Sequence, residues 1–253
     1  MADGGAMSVW TSPRARHREM RAFLICLVAA LALFAAWPTL DLSLSRSLYA
    51  GQFVHADKAW VRAMYEAVPW LTRALAVYLL LRLLAGRWRL SRPVWRRLWV
   101  SLLLLVLVVG ALVHGPVKQF WSRPRPVQVL EFGGSEAYSP PLAPAGLNPE
   151  RKRYSFVSGH AASGFALLAP ALFAAPARRR WWGRAALGLG LLIGLGRILQ
   201  GGHFLSDVLF AGLLVWGSAL LIRQLWLLGG LRRVRPAQAQ ARAWIQSWKK
   251  RTV

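Results

Sequence analysis

Long apolar stretches alternate with short clusters of basic residues along most of this chain. Each of six stretches approaches the length of about 20 residues that crosses the hydrocarbon core of a bilayer. They cover residues 22–40, 67–85, 98–116, 160–176, 185–200 and 204–228. Because lipid offers the backbone no hydrogen-bond partner, each stretch is predicted to be a helix. The pattern therefore predicts an all-α protein, a polytopic membrane bundle of six transmembrane helices.

The apolar pattern also divides the chain into parts. It predicts a cytoplasmic tail at 1–21, a six-helix membrane domain at 22–228 with an outer loop at 117–158, and a basic cytoplasmic tail at 229–253. In the fifth stretch, Gly190 and Gly194 form a GxxxG step. Small residues at this spacing let two helices approach closely, so we expect tight packing there.

The chain carries a large positive charge, and the position of the basic residues between apolar stretches indicates which partner this charge suits. Of 253 residues, 33 are Lys or Arg and only 9 are Asp or Glu, which gives a formal net charge of +24. The basic residues concentrate on one side of the six predicted spans, in the regions 14–21, 87–97, 178–184 and 223–251. Positive residues favour the cytoplasmic side, so both termini are predicted to be cytoplasmic. Because these clusters separate apolar stretches, the charge predicts a membrane bilayer and no nucleic acid as the partner.

Three polar clusters lie at span ends on the predicted outer side, where ionisable groups need a functional reason. They are Lys118 to Pro126, Ser155 to His160, and Arg197 to Asp207. Taken singly, each has an ordinary explanation, since a cation can contact lipid headgroups, a histidine can be buried in a core, and an Asp–His pair can be structural. Three such clusters on one predicted face indicate a common site.

The third cluster carries the parts of a nucleophile. His203 and Asp207 are four residues apart, so on a helix they share one face. An aspartate beside a histidine fixes the tautomer of the ring and leaves the other nitrogen free to attack. Arg197 precedes them across Gly201 and Gly202, and it can fold back towards the same point.

The other two clusters supply groups that suit an anion. Ser158 is a natural N-cap, and Gly159 lets a ligand approach the backbone at a helix N-terminus. His160 can protonate a leaving oxygen there. Lys118 gives a point charge, and Arg125 gives a fork that matches phosphate oxygens. The set predicts phosphoryl transfer through a phosphohistidine. Because neither a second carboxylate nor clustered cysteines accompany it, no metal ion or other cofactor is expected.

These clusters resemble the signature of the type 2 phosphatidic acid phosphatase superfamily, which reads KxxxxxxRP, PSGH and SRxxxxxHxxxD. Lys118 and Arg125 have the spacing of the first motif, and Arg197, His203 and Asp207 have that of the third. The sequence departs from the pattern at two positions, where Val157 replaces proline and Gly196 replaces serine. Neither departure removes a group that the chemistry needs.

The resemblance implies a role for each residue. His203 would attack phosphorus, Asp207 would orient it, and His160 would protonate the leaving oxygen and then activate water. The phosphate oxygens would be held by Lys118, Arg125, Ser158, Gly159 and Arg197. Arg123 could replace or assist Arg125, and the sequence leaves this open.

A lipid phosphate that enters from the outer leaflet is the predicted substrate. The run from Phe132 to His160 resembles bacterial lipid A phosphatases of the superfamily, while polyprenyl diphosphates, phosphatidylglycerol phosphate and phosphatidate stay open. Residues 127–154 have the length of a lid or binding loop, and Arg151, Lys152 and Arg153 are expected to bind an additional anionic headgroup. The predicted location is the bacterial inner membrane, with the active site facing the periplasm.

Two other functions remain compatible with the sequence. The same site could pass the phosphate to another lipid or sugar acceptor, which would make the protein a phosphotransferase. The polar cluster could also be a binding site in a transporter or scaffold, although the full set of nucleophile, acid and cations speaks against this. The sequence leaves the oligomeric state open.

Overall fold

The computed structural model of the protein describes residues 13–86, 92–144, 154–171 and 176–225. Its helices are α1 (Pro13–Ala36), α2 (Leu40–Arg46), α3 (Ala59–Gly86), α4 (Arg92–Leu103), α5 (Leu104–Val117), α6 (Lys118–Trp121), α7 (Gly159–Phe165), α8 (Leu168–Ala171), α9 (Pro176–Leu199) and α10 (Leu205–Leu225). The described residues contain no β-strand, so the predicted all-α class is confirmed. Two compact units, Met1–Ala219 and Leu220–Val253, divide the chain, and every contact described below lies in the first.

Within the described ranges, five helical segments are long and apolar enough to cross a membrane, namely Pro13–Ala36, Ala59–Gly86, Leu98–Gln128, Arg178–Leu199 and Leu205–Leu225. Each of them overlaps one predicted span. The fourth predicted span, 160–176, is not among them, because its described part consists of the short helices α7 and α8 with a turn between them. Pro170 lacks the N–H that a continuous helix would bond to the carbonyl four residues earlier, which accounts for the break.

The long helices expose apolar side chains that a water-soluble protein would bury. On α1, Ile25 is 68% exposed, and on α3 Trp70 and Leu71 are 69% and 66% exposed. Extended apolar surface of this kind is costly in water and favourable in hydrocarbon. The exposed apolar side chains of these helices therefore support the prediction that the protein lies in a membrane.

Glycines bring the helices that carry the polar clusters into close contact. A Cβ on Gly190 of α9 would lie 2.3 Å from the ring of Phe165 on α7, and one on Gly194 would lie 2.3 Å from Val208 on α10. The predicted close packing at this GxxxG step is confirmed, because no larger residue fits. Helix α9 therefore contacts both α7 and α10, which bear His160 and Asp207.

The segment after α6 is folded back onto α2 and the start of α10. It contains two short 3₁₀ turns, Pro126–Gln128 and Leu130–Phe132. Its apolar side chains join a buried cluster made of Leu42, Phe53, Val129, Phe132 and Phe204. The first half of the predicted outer loop is thus an ordered cap whose burial of apolar area holds it beside the third polar cluster.

Several predictions concern residues outside the described ranges. These are the headgroup role of Arg151, Lys152 and Arg153 and the C-terminal tail at 229–253. The N-terminal tail at 1–21 is described only from residue 13, where α1 already begins. The cytoplasmic orientation of both termini remains a prediction.

Candidate active site

Lys118 follows a distorted part of the third span. Helix α5 has wide, π-type turns, and Gly115, with φ −99° and ψ −108°, interrupts it just before Pro116. Prolines and π-type turns disturb the regular helix and redirect the residues that follow. Lys118 is buried at the start of α6, and α6 ends at Ser122 in the left-handed conformation, with φ 41°. The span therefore ends in a sharp turn that leads directly into Arg123.

Arg123 is completely buried and donates five hydrogen bonds. The acceptors are the carbonyl of Ser139 (2.8 Å), the hydroxyl of Ser206 (2.7 Å), Oδ1 of Asp207 (2.7 Å), Oδ2 of Asp41 (2.8 Å) and the hydroxyl of Tyr138 (3.3 Å). Its guanidinium carbon also lies 4.3 Å from the ring centroid of Phe204. A guanidinium has five N–H groups, so these contacts leave Arg123 none for a phosphate. Of the two arginines of this run, the geometry favours Arg125 over Arg123 for the predicted phosphate contact.

Asp207 is completely buried, and its two carboxylate oxygens have different partners. Oδ1 accepts from Arg123. Oδ2 accepts from the hydroxyl of Ser155 and, at 2.9 Å, from the N–H of Phe204. Because Phe204 caps α10 and Asp207 is the third residue of that helix, the second bond is half of a capping box. Helix formation itself thus fixes the carboxylate.

His203 lies just before α10, so the expectation that it shares a helix face with Asp207 is wrong. The predicted contact nevertheless forms, because a turn at Gly201, with φ +64°, precedes the ring and Nδ1 lies 3.4 Å from Oδ2 of Asp207. Burial lowers the pKa of His203 to about 4, although Asp207 opposes this effect. At neutral pH the ring is therefore neutral, with Nδ1 directed at the carboxylate and Nε2 available.

The second polar cluster lies against the same helix start. The N–H of Ser158 donates to the carbonyl of Asp207 at 3.0 Å. The hydroxyl of Ser158 accepts from the N–H of Ala161 at 3.4 Å, so the predicted N-cap of α7 is confirmed. A Cβ on Gly159 would lie 2.6 Å from Nε2 of His114, which explains the glycine. His114, which belongs to none of the three clusters, therefore borders the site.

His160 and Arg197 both contact Tyr65 of α3. The rings of His160 and Tyr65 are stacked, with centroids 5.3 Å apart and an interplanar angle of 17°, and the guanidinium carbon of Arg197 lies 4.5 Å from the Tyr65 centroid. Nε2 of His160 also lies 3.3 Å from the backbone carbonyl of Tyr65. A carbonyl oxygen only accepts, so this contact places a proton on Nε2 and leaves Nδ1 as the free base.

Three cations of the site lie close together, and none has an acidic partner among the residues that the structure describes. Lys118 and Arg197 are buried, Arg125 is half-buried, and the charge of Arg125 interacts with both others. Arg197 and Lys118 also interact electrostatically with His203 and His160. Among the described residues, no carboxylate lies at ion-pair distance from any of the three cations. Like charges repel strongly where water is scarce, so this arrangement favours a bound anion.

The expectation that no second carboxylate accompanies the site is wrong. Asp41 of α2 is buried, and Arg123 bridges it to Asp207. Both carboxylates are engaged by the guanidinium. In the part of the chain that the structure describes, no group of three or more His, Cys, Asp or Glu side chains is placed to hold a metal ion. Chemistry without a metal remains a prediction.

Two residues that contact the site, Asp41 and Tyr65, were not among the predicted site residues, and only Asp41 carries a sequence signal that could have indicated it. Asp41 is an acid directly after an apolar stretch, which is the same signal that singled out the three clusters. Tyr65 carries no such signal, because an aromatic residue near a span end is usually an interfacial anchor. Its contact with two clusters at once depends on the packing of α3 against α7 and α9.

Comparison with known proteins agrees with this geometry. The sequence model of the PAP2 superfamily matches residues 98–228, just over half of the chain and a range that contains all three clusters. The chain is 29% identical over 214 residues to a Lipid A 4'-phosphatase of Francisella tularensis subsp. novicida, covering 82% of this chain and 95% of the relative. No solved structure matches it.

Two rhizobial proteins extend the comparison. Proteins named Lipid A 4'-phosphatase from Rhizobium leguminosarum and Rhizobium etli are each 28% identical over 214 residues, which is 77% of this chain and 88% and 80% of the relatives. The five long apolar helices agree with a bacterial membrane protein. The chain therefore belongs to the PAP2 superfamily, and it is a membrane-embedded phosphatase that hydrolyses phosphoric monoesters.

Proposed function

We propose that this phosphatase removes a phosphate from lipid A, at the periplasmic face of the bacterial inner membrane, through a phosphohistidine and without a metal ion. One observation carries the proposal: Lys118, Arg125 and Arg197, three cations without acidic partners in the described part of the chain, lie beside a neutral histidine that contacts Asp207. Such a site attracts a phosphate group and provides a nucleophile for it. The names of the three relatives support lipid A as the substrate.

In the first step, Nε2 of His203 bonds to phosphorus while the bond from phosphorus to the lipid oxygen breaks. Asp207 accepts a hydrogen bond from Nδ1 and stabilises the positive charge that the ring acquires. His160 gives a proton to the leaving oxygen. Burial and the charge of Arg197 lower the pKa of His160 to about 3, so the ring gains its second proton only when the negative charge of a bound phosphate raises that pKa; Nδ1 then supplies the proton. The products are a lipid alcohol and phosphohistidine.

In the second step, Nδ1 of His160 takes a proton from water, and the oxygen of that water bonds to phosphorus. The phosphorus–nitrogen bond breaks, which releases inorganic phosphate and restores His203. The three cations, together with Ser158 and the N–H of Gly159, would hold the phosphate oxygens and stabilise the charge of both transition states.

Phosphate release by the purified protein in detergent micelles tests the proposal. Lipid A, phosphatidate, phosphatidylglycerol phosphate and undecaprenyl diphosphate would each be supplied with a chelator and no acceptor. We expect lipid A to react fastest and His203→Ala to lower the rate by about 10⁴-fold or more. The matched control is His55→Ala at an exposed histidine, which should keep full activity. Activity that survives in His203→Ala would exclude the covalent step, and activity lost to the chelator would exclude the metal-free reaction.

The intermediate gives a second test. In His160→Ala the first step lacks its acid and the second its base, so we expect ³²P from labelled lipid A to appear on the protein more slowly than in wild type and then to remain there in an acid-labile, base-stable form. The double variant with His203→Ala should carry no label. A requirement for an added lipid or sugar acceptor before phosphate leaves the donor would favour the phosphotransferase alternative.

A further inference from the structure

We propose that Asp41 is a positioning residue for the reaction: acting through Arg123, it preserves the negative charge that Asp207 presents to His203. The inference rests on the proposed roles of His203 and Asp207. It adds α2, which none of the three motifs includes, to the parts of the chain that determine the rate.

The contacts of Asp41 lead directly to the catalytic aspartate. Its Oδ2 accepts from Arg123 at 2.8 Å and from the hydroxyl of Ser206, and its Oδ1 accepts from the N–H of Ser206 at 3.0 Å. Ser206 is the neighbour of Asp207 in α10. The side chains of Asp41, Arg123 and Asp207 are all 0% exposed, so water does not screen the interactions among their charges.

The charges of this cluster explain why two carboxylates are present. Arg123 alone would neutralise Asp207, and the pair would then offer little to a ring that becomes cationic when it bonds to phosphorus. Two carboxylates share one guanidinium, so with Asp41 ionised the cluster keeps a net negative charge beside His203. Burial raises the pKa of Asp41, while the charge of Arg123 and the hydrogen bonds from Ser206 and Arg123 oppose this effect and favour its ionised form.

A purely structural role for the cluster makes a different prediction. Buried ion pairs can tie α2 to α10 without any effect on the ring, and removal of one partner would then lower stability alone. The two roles separate in the pH profile. The other charged groups that face His203 are Lys118, Arg197, His160 and Asp207, which lie on four different helices or beside them. None of these groups changes in the variants below.

The experiment compares Asp41→Asn and Arg123→Gln with wild type, using purified lipid A in detergent micelles. We expect Asp41→Asn to lower kcat about tenfold, with KM changed less than about threefold, and to move the acidic limb of kcat/KM to lower pH, because a negative charge near His203 is lost. Arg123→Gln should move the limb to higher pH, because a positive charge is lost. Glu131→Gln, which neutralises an exposed acid, should reproduce wild type.

Shifts of the acidic limb in opposite directions in Asp41→Asn and Arg123→Gln support the inference. An acidic limb that is unchanged in both variants would overturn it, whatever stability they lose. If Asp41→Asn does not fold, Asp41→Glu replaces it, because glutamate keeps the negative charge. We expect its acidic limb of kcat/KM to coincide with that of wild type. An acidic limb displaced as far as in Arg123→Gln would also overturn the inference. His203→Ala separates the two proposals. If it is active, the proposed function fails; if it is inactive while the Asp41 variants match wild type in kcat and pH profile, this inference alone fails.

Discussion

The two sides of His203 differ in how their charges are paired. On one side, Arg123 is surrounded by Asp41, Asp207 and three neutral acceptors, and every donor is used. On the other side, Lys118 and Arg197 are also buried, but neither has an acidic partner within the described residues. Paired cations hold the fold together, whereas unpaired cations are available to a ligand. Arginine therefore has different surroundings on the two sides of His203, with acidic partners at Arg123 and none described at Arg197.

The largest effect on stability is expected on the paired side. Arg123→Gln leaves two buried carboxylates without their cation, and breaking a buried pair in this way costs about 3–5 kcal/mol. The midpoint of thermal unfolding in detergent should fall markedly. An unchanged midpoint would mean that the pairing of this side does not stabilise the fold.

The unpaired side should respond in the opposite sense. Arg197→Gln removes a cation that stabilises the transition state, so we expect kcat/KM for lipid A to fall by about 10²–10³-fold. The unfolding midpoint should stay the same or rise, because repulsion among the three cations is relieved. A midpoint that falls as far as in Arg123→Gln would remove the distinction between the two sides.

A smaller effect is expected at the aromatic ring that joins His160 to Arg197. Tyr65→Ala removes a stacked ring and a cation–π contact, each worth about 1 kcal/mol, so kcat should fall about tenfold. Tyr65→Phe keeps the ring and should lose less than about twofold. Equal losses in both variants would assign the effect to the hydroxyl instead.

The effect that is smallest at neutral pH, and that grows as the pH falls, concerns the contribution of the neutral His203 to stability. Burial lowers the pKa of His203 to about 4, below the value of the unfolded chain, so the unfolded state binds more protons between these values. Stability should be complete above about pH 6.5 and should decrease as the pH falls towards 4, by up to about 1.4 kcal/mol per pH unit. Unfolding midpoints of wild type and His203→Gln across this range measure the effect, and a constant difference would contradict it.

The sequence predicted some of these features well because their causes are local. The apolar stretches are long enough to identify five helices without knowledge of their neighbours. The GxxxG step at Gly190 and Gly194 and the N-cap at Ser158 depend on residues near in sequence, and both are present. The fourth span was harder, because its Ala-rich composition concealed the effect of Pro170 on helix continuity.

Other features could not be predicted because their causes are distant in sequence. Arg123 and Arg125 each precede a proline in an Arg-Pro-Arg-Pro run, and apart from the motif spacing from Lys118 nothing local shows that Arg123 is the one enclosed by carboxylates. Asp41 lies 82 positions from the arginine that it pairs with. Sequence spacing therefore does not reveal that Asp41 pairs with Arg123, and this is why the sequence predicted a site without a second carboxylate.

The amino-acid sequence by itself determined the membrane class of this protein and the residue types that can transfer a phosphoryl group, since hydropathy and motif spacing are properties of short segments. Only the tertiary structure decided which charges are neutralised by partners. That depends on where α2 and the segment after α6 meet the start of α10, and therefore on contacts between parts of the chain that are far apart in sequence.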